Sequence, residues 1–358
     1  MSRLTAYQVF IRLYSEYSQG MAKGCRSFPG VKLLALIWWL ISGISAVYGI
    51  ERPFPEDGGP TEISCVLVVL DLDEISDANQ NFTVNVFTVF RWNDPREAHS
   101  GEANIKKSME EVWFPNLIFL NRQRIWSSMG QFVEITPEGD VIYRRQFWGD
   151  FSQPMNLHDF PFDTQTFSVQ VVSAGSEDAD EVTLIQNPTA TSFVTDKYSV
   201  ADWKVLGSES KSSVLEMPNG ATTSMFEIEF TAQRLSNHYV VKVIAPLLMI
   251  VLLSWVVFWL NPSEGGSQLG VAVTSFLTVI AYHVALSSKL PEISYLTRLD
   301  VFVFCGTILV FLAMIEVVVT TGLAQKGRVE VARWLDRVCR LVFPVLLMLS
   351  GCYAFWWH

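Results

Sequence analysis

Ahead of residue 238 the hydrophobic positions of the chain recur in twos; behind it they gather into long runs. From Phe82 to Trp92, alternation puts Phe82, Val84, Val86, Phe90 and Trp92 on one side of an extended chain, because successive strand side chains point to opposite faces. Gln131 to Thr136 and Val141 to Trp148 flank a turn at Pro137 to Asp140 and read as a hairpin. Thr164 to Val172 and Thr223 to Ala232 alternate too, the latter as Phe226, Ile228 and Phe230 against Glu227 and Glu229. Many short strands with turns between them and no long helical pattern predict an immunoglobulin-like β-sandwich over residues 50–237.

The later runs are Val243 to Leu260, Leu269 to Ser287, Val301 to Leu323 and Leu341 to Trp357. Each is near the ~20 residues with which a helix crosses ~30 Å of hydrocarbon. Trp255, Trp259, Trp356 and Trp357 sit near run ends, where an amphipathic ring favours the headgroup region. Residues 238–358 therefore read as a four-helix transmembrane bundle. Its linker, 324–340, carries Lys326, Arg328, Arg333, Arg337 and Arg340 against two acids, Glu330 and Asp336, and is expected on the cytoplasmic side. Four crossings then put the sandwich and the C-terminus both outside. An export signal agrees: Lys23, Arg26 and Lys32 precede the apolar Leu33 to Val47, which ends in small residues around Ala46 and Gly49. Residues 1–49 are read as a signal region with Met21 as the expected true start; an uncleaved anchor helix is the alternative.

Charge sharpens the division. The chain has 36 acids and 26 bases, a net of −10, and only 17% charged residues. From 51 to 237 there are 29 acids and 13 bases, hence 13 − 29 = −16 for that part. This balance argues against a disordered chain and against a nucleic-acid binder, which needs a basic face for phosphates. Of five cysteines only Cys65 lies in the acidic part, so that domain closes no internal disulfide.

The second run has a stripe at helical spacing: Gly270, Thr274, Leu277, Ala281, Val284 and Ser288. It is small and polar at one end, apolar in the middle and polar again at the other. Such a stripe suits a pore wall with a dewetting constriction between Leu277 and Val284. It equally suits close helix packing through small residues, and both readings stay open on this run alone. Catalytic signatures are missing: Gly322 to Gly327 is followed by Arg328 instead of the Lys-Ser/Thr of a phosphate loop, and His158-Asp159 has no nucleophile nearby. No enzyme and no cofactor are expected. Glu177, Asp178, Asp180 and Glu181 offer four carboxylates in five residues to a modulatory divalent cation, against the alternative of a solvated turn.

Phe160-Pro161-Phe162-Asp163 followed by Thr-Gln-Thr-Phe167 resembles the signature loop of pentameric ligand-gated ion channels. Trp113-Phe-Pro115 is similar to that family's first binding-loop motif. Arg234 ahead of Pro246, the run Ser254 to Trp259, and Leu290-Pro291 fit its pattern in order. The missing loop cysteines and the short linker resemble the prokaryotic branch. The resemblance implies a homopentamer in the cell (inner) membrane, with five second helices lining a pore for permeating ions. It implies agonist sites between neighbouring sandwiches, with Phe90, Trp113 and Phe119 supplying aromatic surface. Ser173 to Val182 has no aromatic residue, and Lys211 to Met225 has neither Tyr nor Trp, so the agonist is expected to be a small molecule or protons, without a full amine cage. It also implies coupling through Asp77, Phe160 to Asp163, Arg234 and Leu290-Pro291. Glu264 before the second run implies cation selectivity, in a stretch about two residues longer than in cation-selective relatives and set with Pro262, Gly265 and Gly266. The competing function is a membrane-tethered binding receptor without a conducting pore.

Overall fold

A computed structural model describes residues 51–55, 58–174, 181–218, 220–261, 265–287 and 293–357. The expected signal region lies outside the described residues. Among these residues twelve strands precede the helices: β1 (Thr61–Ser76), β2 (Asn81–Asn93), β3 (Ile105–Ser108), β4 (Leu117–Phe119), β5 (Arg122–Ser127) and β6 (Phe132–Ile135), then β7 (Asp140–Ser152), β8 (Thr164–Ser173), β9 (Val182–Gln186), β10 (Phe193–Val194), β11 (Trp203–Glu216) and β12 (Thr222–Arg234).

They form two sheets. One runs β10-β1-β2-β7-β6-β3, with β5 paired to β7 and β9 to β1; the other runs β11-β12-β8-β4. The predicted alternation of β2 holds: Phe82, Val84, Val86, Phe90 and Trp92 are all buried. Facing rings fill the space between the sheets, with Phe82 centred 5.1 Å from Phe167, 5.7 Å from Phe151 and 5.8 Å from Phe230. Each such ring removed from water contributes about 1.5–3 kcal/mol, as does each buried Val, Leu or Ile packed around it. The predicted hairpin is β6–β7, turning at Gly139 with φ 87°. A Cβ there would also meet the Asp94 carbonyl at 2.7 Å, so backbone and space both require glycine.

Four helices of spanning length follow: α1 (Asn237–Trp259), α2 (Gly265–Ser287), α3 (Arg298–Gln325) and α4 (Val329–Trp356). A π-helical turn at Val240–Ile244 precedes Pro246 in α1, where the proline has no N–H to continue the α pattern. Helix α3 begins at a capping box in which Thr297 and Asp300 exchange hydrogen bonds, so its start falls ahead of the apolar run.

The fourth helix differs from expectation. Its helical turns begin at Val329, so most of the expected linker 324–340 is helix, and only Lys326, Arg328 and Gly327 (φ 75°) separate α3 from α4. The reason is amphipathicity: Ala332, Asp336 and Phe343 are buried along one face, while Arg333 and Arg337 point out. Arg340 ties this segment to α1, donating from Nε to the Phe258 carbonyl at 2.9 Å and lying 5.3 Å from the Trp259 ring. Trp255 in turn donates to the Arg340 carbonyl at 3.2 Å.

Candidate functional site

The last residue of β12 is Arg234, and the chain continues almost at once into α1. Its guanidinium is buried and forked between two acids. Nε donates to Asp163 Oδ1 at 2.7 Å, and Nη2 reaches Asp163 Oδ2 at 3.2 Å. Nη1 and Nη2 donate to the two Asp77 oxygens at 2.9 and 2.7 Å. Asp77 stands in the β1–β2 turn and Asp163 ends the signature loop, so one cation joins three separate segments. The Trp203 ring, 4.2 Å away, and the Phe160 ring, 4.8 Å away, cover the guanidinium faces. Burial alone would lower the Arg234 pKa, but its hydrogen bonds to the Asp163 and Asp77 carboxylates outweigh it and hold the group above the ordinary arginine range. Burial pushes the Asp77 carboxyl up from its usual value, only partly opposed by Arg234.

The signature loop rests on the helices. Phe160, in a cis peptide bond to Pro161, packs edge-on against Tyr239 of α1 at 4.7 Å. Phe162 meets Phe355 at the end of α4 at 5.7 Å. The backbone of α3 bonds directly to the loop, from Arg298 N–H to the His158 carbonyl (3.0 Å) and from Leu299 N–H to the Phe160 carbonyl (3.3 Å). Arg298 pairs with Asp159 at 2.6 Å, and the His158 ring stacks on Tyr295 at 4.1 Å. The Tyr295 hydroxyl accepts from the buried Leu157 N–H at 2.9 Å. Tyr295→Phe is expected to orphan that donor and cost about 1–3 kcal/mol, read as a lowered midpoint of thermal unfolding in detergent.

On α2, Gly270, Thr274, Leu277, Ala281 and Val284 are all exposed in the single chain, with Leu277 and Val284 at 61% and 67%. Gln268, Ala272, Ser275, Val279 and Leu286 form the opposite, buried face. Tyr282 donates to the Val243 carbonyl of α1 at 2.8 Å and helps fix the rotation of α2 about its axis.

Two family models match in the same order as the two architectures. Residues 44–235 match the neurotransmitter-gated ion-channel ligand binding domain, and residues 243–328 match the neurotransmitter-gated ion-channel transmembrane region. The chain belongs to the neurotransmitter-gated ion-channel family. It is a ligand-gated ion channel of the multi-pass membrane kind, and not an enzyme. For a channel of this family, the Arg234 cluster lies where the ligand-binding domain meets the transmembrane region, and the α2 stripe lies within the latter.

The aromatic residues expected to meet agonist are elsewhere. Phe90, Trp113 and Phe119 are buried: Phe90 stacks on Tyr143 at 6.3 Å, Trp113 lies edge-on to Trp92 at 6.0 Å, and Phe119 packs on Phe147 at 4.8 Å. Glu181 is exposed and its backbone carbonyl accepts from Arg52 at 2.6 Å, while Glu177, Asp178 and Asp180 lie outside the described residues. Among the described residues no group of three or more His, Cys, Asp or Glu is placed to hold a metal. Glu264, Ser288, Leu290 and Pro291 also lie outside the described residues. Sequence reading missed Tyr295, Arg298 and Tyr239. The Thr297-x-x-Asp300 capping pattern was the available signal that helix and loop meet at Arg298.

Proposed function

We propose that five copies of this chain surround one pore lined by the α2 stripe, and that a small agonist or protons acting between neighbouring sandwiches opens it to cations. The observation that carries this reading is the two-faced α2. One face is buried against its own bundle, and the other, running from Gly270 and Thr274 through the apolar Leu277, Ala281 and Val284, is left exposed by a single chain. Fivefold assembly places that stripe around an axis, where polar rings meet water and apolar rings close the path. The Arg234 cluster supports transmission from sandwich to helices, because it holds the β1–β2 turn, the signature loop and the approach to α1 together. The membrane is that of a prokaryotic cell, with the sandwich and the C-terminus outside.

Cation preference rests on sequence, with five Glu264 carboxylates at the inner mouth and an acidic outer domain to concentrate cations. Glu264→Gln is expected to lower the sodium-over-chloride permeability ratio severalfold, measured as a reversal-potential shift in asymmetric sodium chloride. An unchanged ratio would remove the ring from the selectivity account. The whole reading is tested by current recording from purified protein in planar bilayers, with agonists and pH screened. A confirmed pentamer silent under every condition would favour a binding receptor without a pore.

A further inference from the structure

Helix α2 is pinned to α1 by side chains near both of its ends. Toward the sandwich, the half-buried Tyr282 donates its hydroxyl to the Val243 carbonyl at 2.8 Å. Toward the other end, the fully buried Gln268 donates through Nε2 to the Leu260 carbonyl at 3.0 Å and to that of Val257 at 3.4 Å. About 21 Å of helix, at 1.5 Å per residue, separates the two pins. None of the acceptors is an ordinary α-helical carbonyl. Val243 lies in the π turn Val240–Ile244, which the Ala245 N–H closes on the Val240 carbonyl, five residues back. Val257 begins the 3-10 turn Val257–Trp259, and Leu260 follows that turn. At these places α1 departs from its regular ladder, and a carbonyl tilted out of the ladder has a lone pair free for another helix. Pro246 adds to the first departure, since it brings no N–H.

The Tyr282 pin stands between the Arg234 cluster and the α2 stripe. The π turn begins six residues after Arg234, and Tyr239, just ahead of it, packs on Phe160 of the signature loop at 4.7 Å. On the other side, Tyr282 directly follows Ala281 and lies two residues before Val284. Successive residues are about 100° apart round a helix, so Tyr282 sits on the flank of α2 while Ala281 and Val284 form the stripe. A flank tied to α1 sets how far the stripe is turned. Apolar packing has no direction and would let α2 slip past α1, whereas a hydrogen bond weakens steeply once its angle is lost.

We propose that Tyr282 is a positioning residue for gating, whose hydroxyl on the Val243 carbonyl carries displacement of the α1 π turn to the Ala281–Val284 part of the stripe. The proposal rests on the reading of α2 as the pore wall. Loss of the bond leaves the apolar rings in place, so the channel stays closed at rest and responds less to agonist. That outcome is the opposite of a wetted gate.

The test has two readouts on the full-length pentamer, for Tyr282→Phe and for 4-aminophenylalanine at position 282, which restores a donor. Hydrogen exchange followed by mass spectrometry needs no current. Tyr282→Phe is expected to speed exchange over residues 240–247 and leave residues 265–272, around Gln268, unchanged. In planar bilayers it is expected to raise the half-maximal agonist concentration at least about threefold, as the loss of one net hydrogen bond implies, without raising resting current. The amino variant is expected to return both readouts toward wild type, which a residue that merely fills space would not do. If Tyr282→Phe does not assemble, 4-fluorophenylalanine, which fills the space of the hydroxyl without a donor, carries the test. Unchanged exchange over 240–247 would overturn the pin. Altered exchange with wild-type agonist sensitivity, or no recovery with the amino variant, would overturn the gating role. A wild-type pentamer silent under every condition would overturn the pore reading and the gating role with it, while the exchange result still decides whether the bond holds α2 to α1.

Discussion

Arg234→Gln is expected to give channels that assemble and reach the membrane but carry no agonist-evoked current. The substitution strands the buried Asp163 and the largely buried Asp77 without their shared cation, whose side chain is only 2% exposed. Breaking one member of a buried cluster costs about 3–5 kcal/mol, because the remaining charge is left uncompensated. A resting-to-open equilibrium is set by differences of a few kcal/mol, so such a loss displaces it by roughly two to three and a half powers of ten. Asp163→Asn should be nearly as severe, since Asp163 is as buried as Arg234 and holds it through two contacts. Asp77→Asn should be milder, because Asp77 retains some access to water. The measurements are pentamer yield by size-exclusion chromatography and current in bilayers. Normal agonist responses in all three variants would defeat the coupling role, and failure of all three to assemble would reduce the cluster to a folding element.

The cluster was legible through the family resemblance, since the likeness of Phe160 to Asp163 to the signature loop and of Arg234 ahead of Pro246 to the family pattern implied that these segments meet. The neighbours that complete it were not. Tyr295 acts through a hydroxyl on a backbone N–H and through ring stacking on His158, neither of which has a spacing pattern. Strand β2 was readable because one face is buried and the other wet. Strand β11 was not, since apart from Trp203 it lies at a sheet edge with both faces largely exposed and shows no alternation. The first turns of α4 were hidden for the opposite reason. A search for apolar blocks passes over an amphipathic helix whose outer face is a series of arginines. Trp113, Phe119 and Phe90 show that residue type alone does not separate a binding aromatic from a packing one, because both occupy alternating strand or loop positions.

Leu277→Ser is expected to give channels that conduct at rest or open at far lower agonist concentration. Leu277 and Val284 are among the most exposed apolar side chains of α2, and they lie two turns apart on the stripe opposite its buried face. In a fivefold assembly each level becomes a ring of five hydrocarbon side chains with no hydrogen-bonding group to offer water. An ion passing such a ring sheds hydration without replacement, and the desolvation cost forms the barrier even where the opening is wide enough. A serine at each of five positions supplies a donor and two acceptors per hydroxyl, so water wets that level and the barrier falls. Val284→Ser should act in the same direction, and the double variant should leak more than either alone because two dry levels are lost. Thr274, one turn from Leu277, already carries a hydroxyl that donates to the Gly270 carbonyl at 2.7 Å, so Thr274→Ser should change resting current little. The readout is current without agonist in planar bilayers, compared at matched protein density. Wild-type resting current and agonist sensitivity in both serine variants would mean that this stripe does not face the ion path.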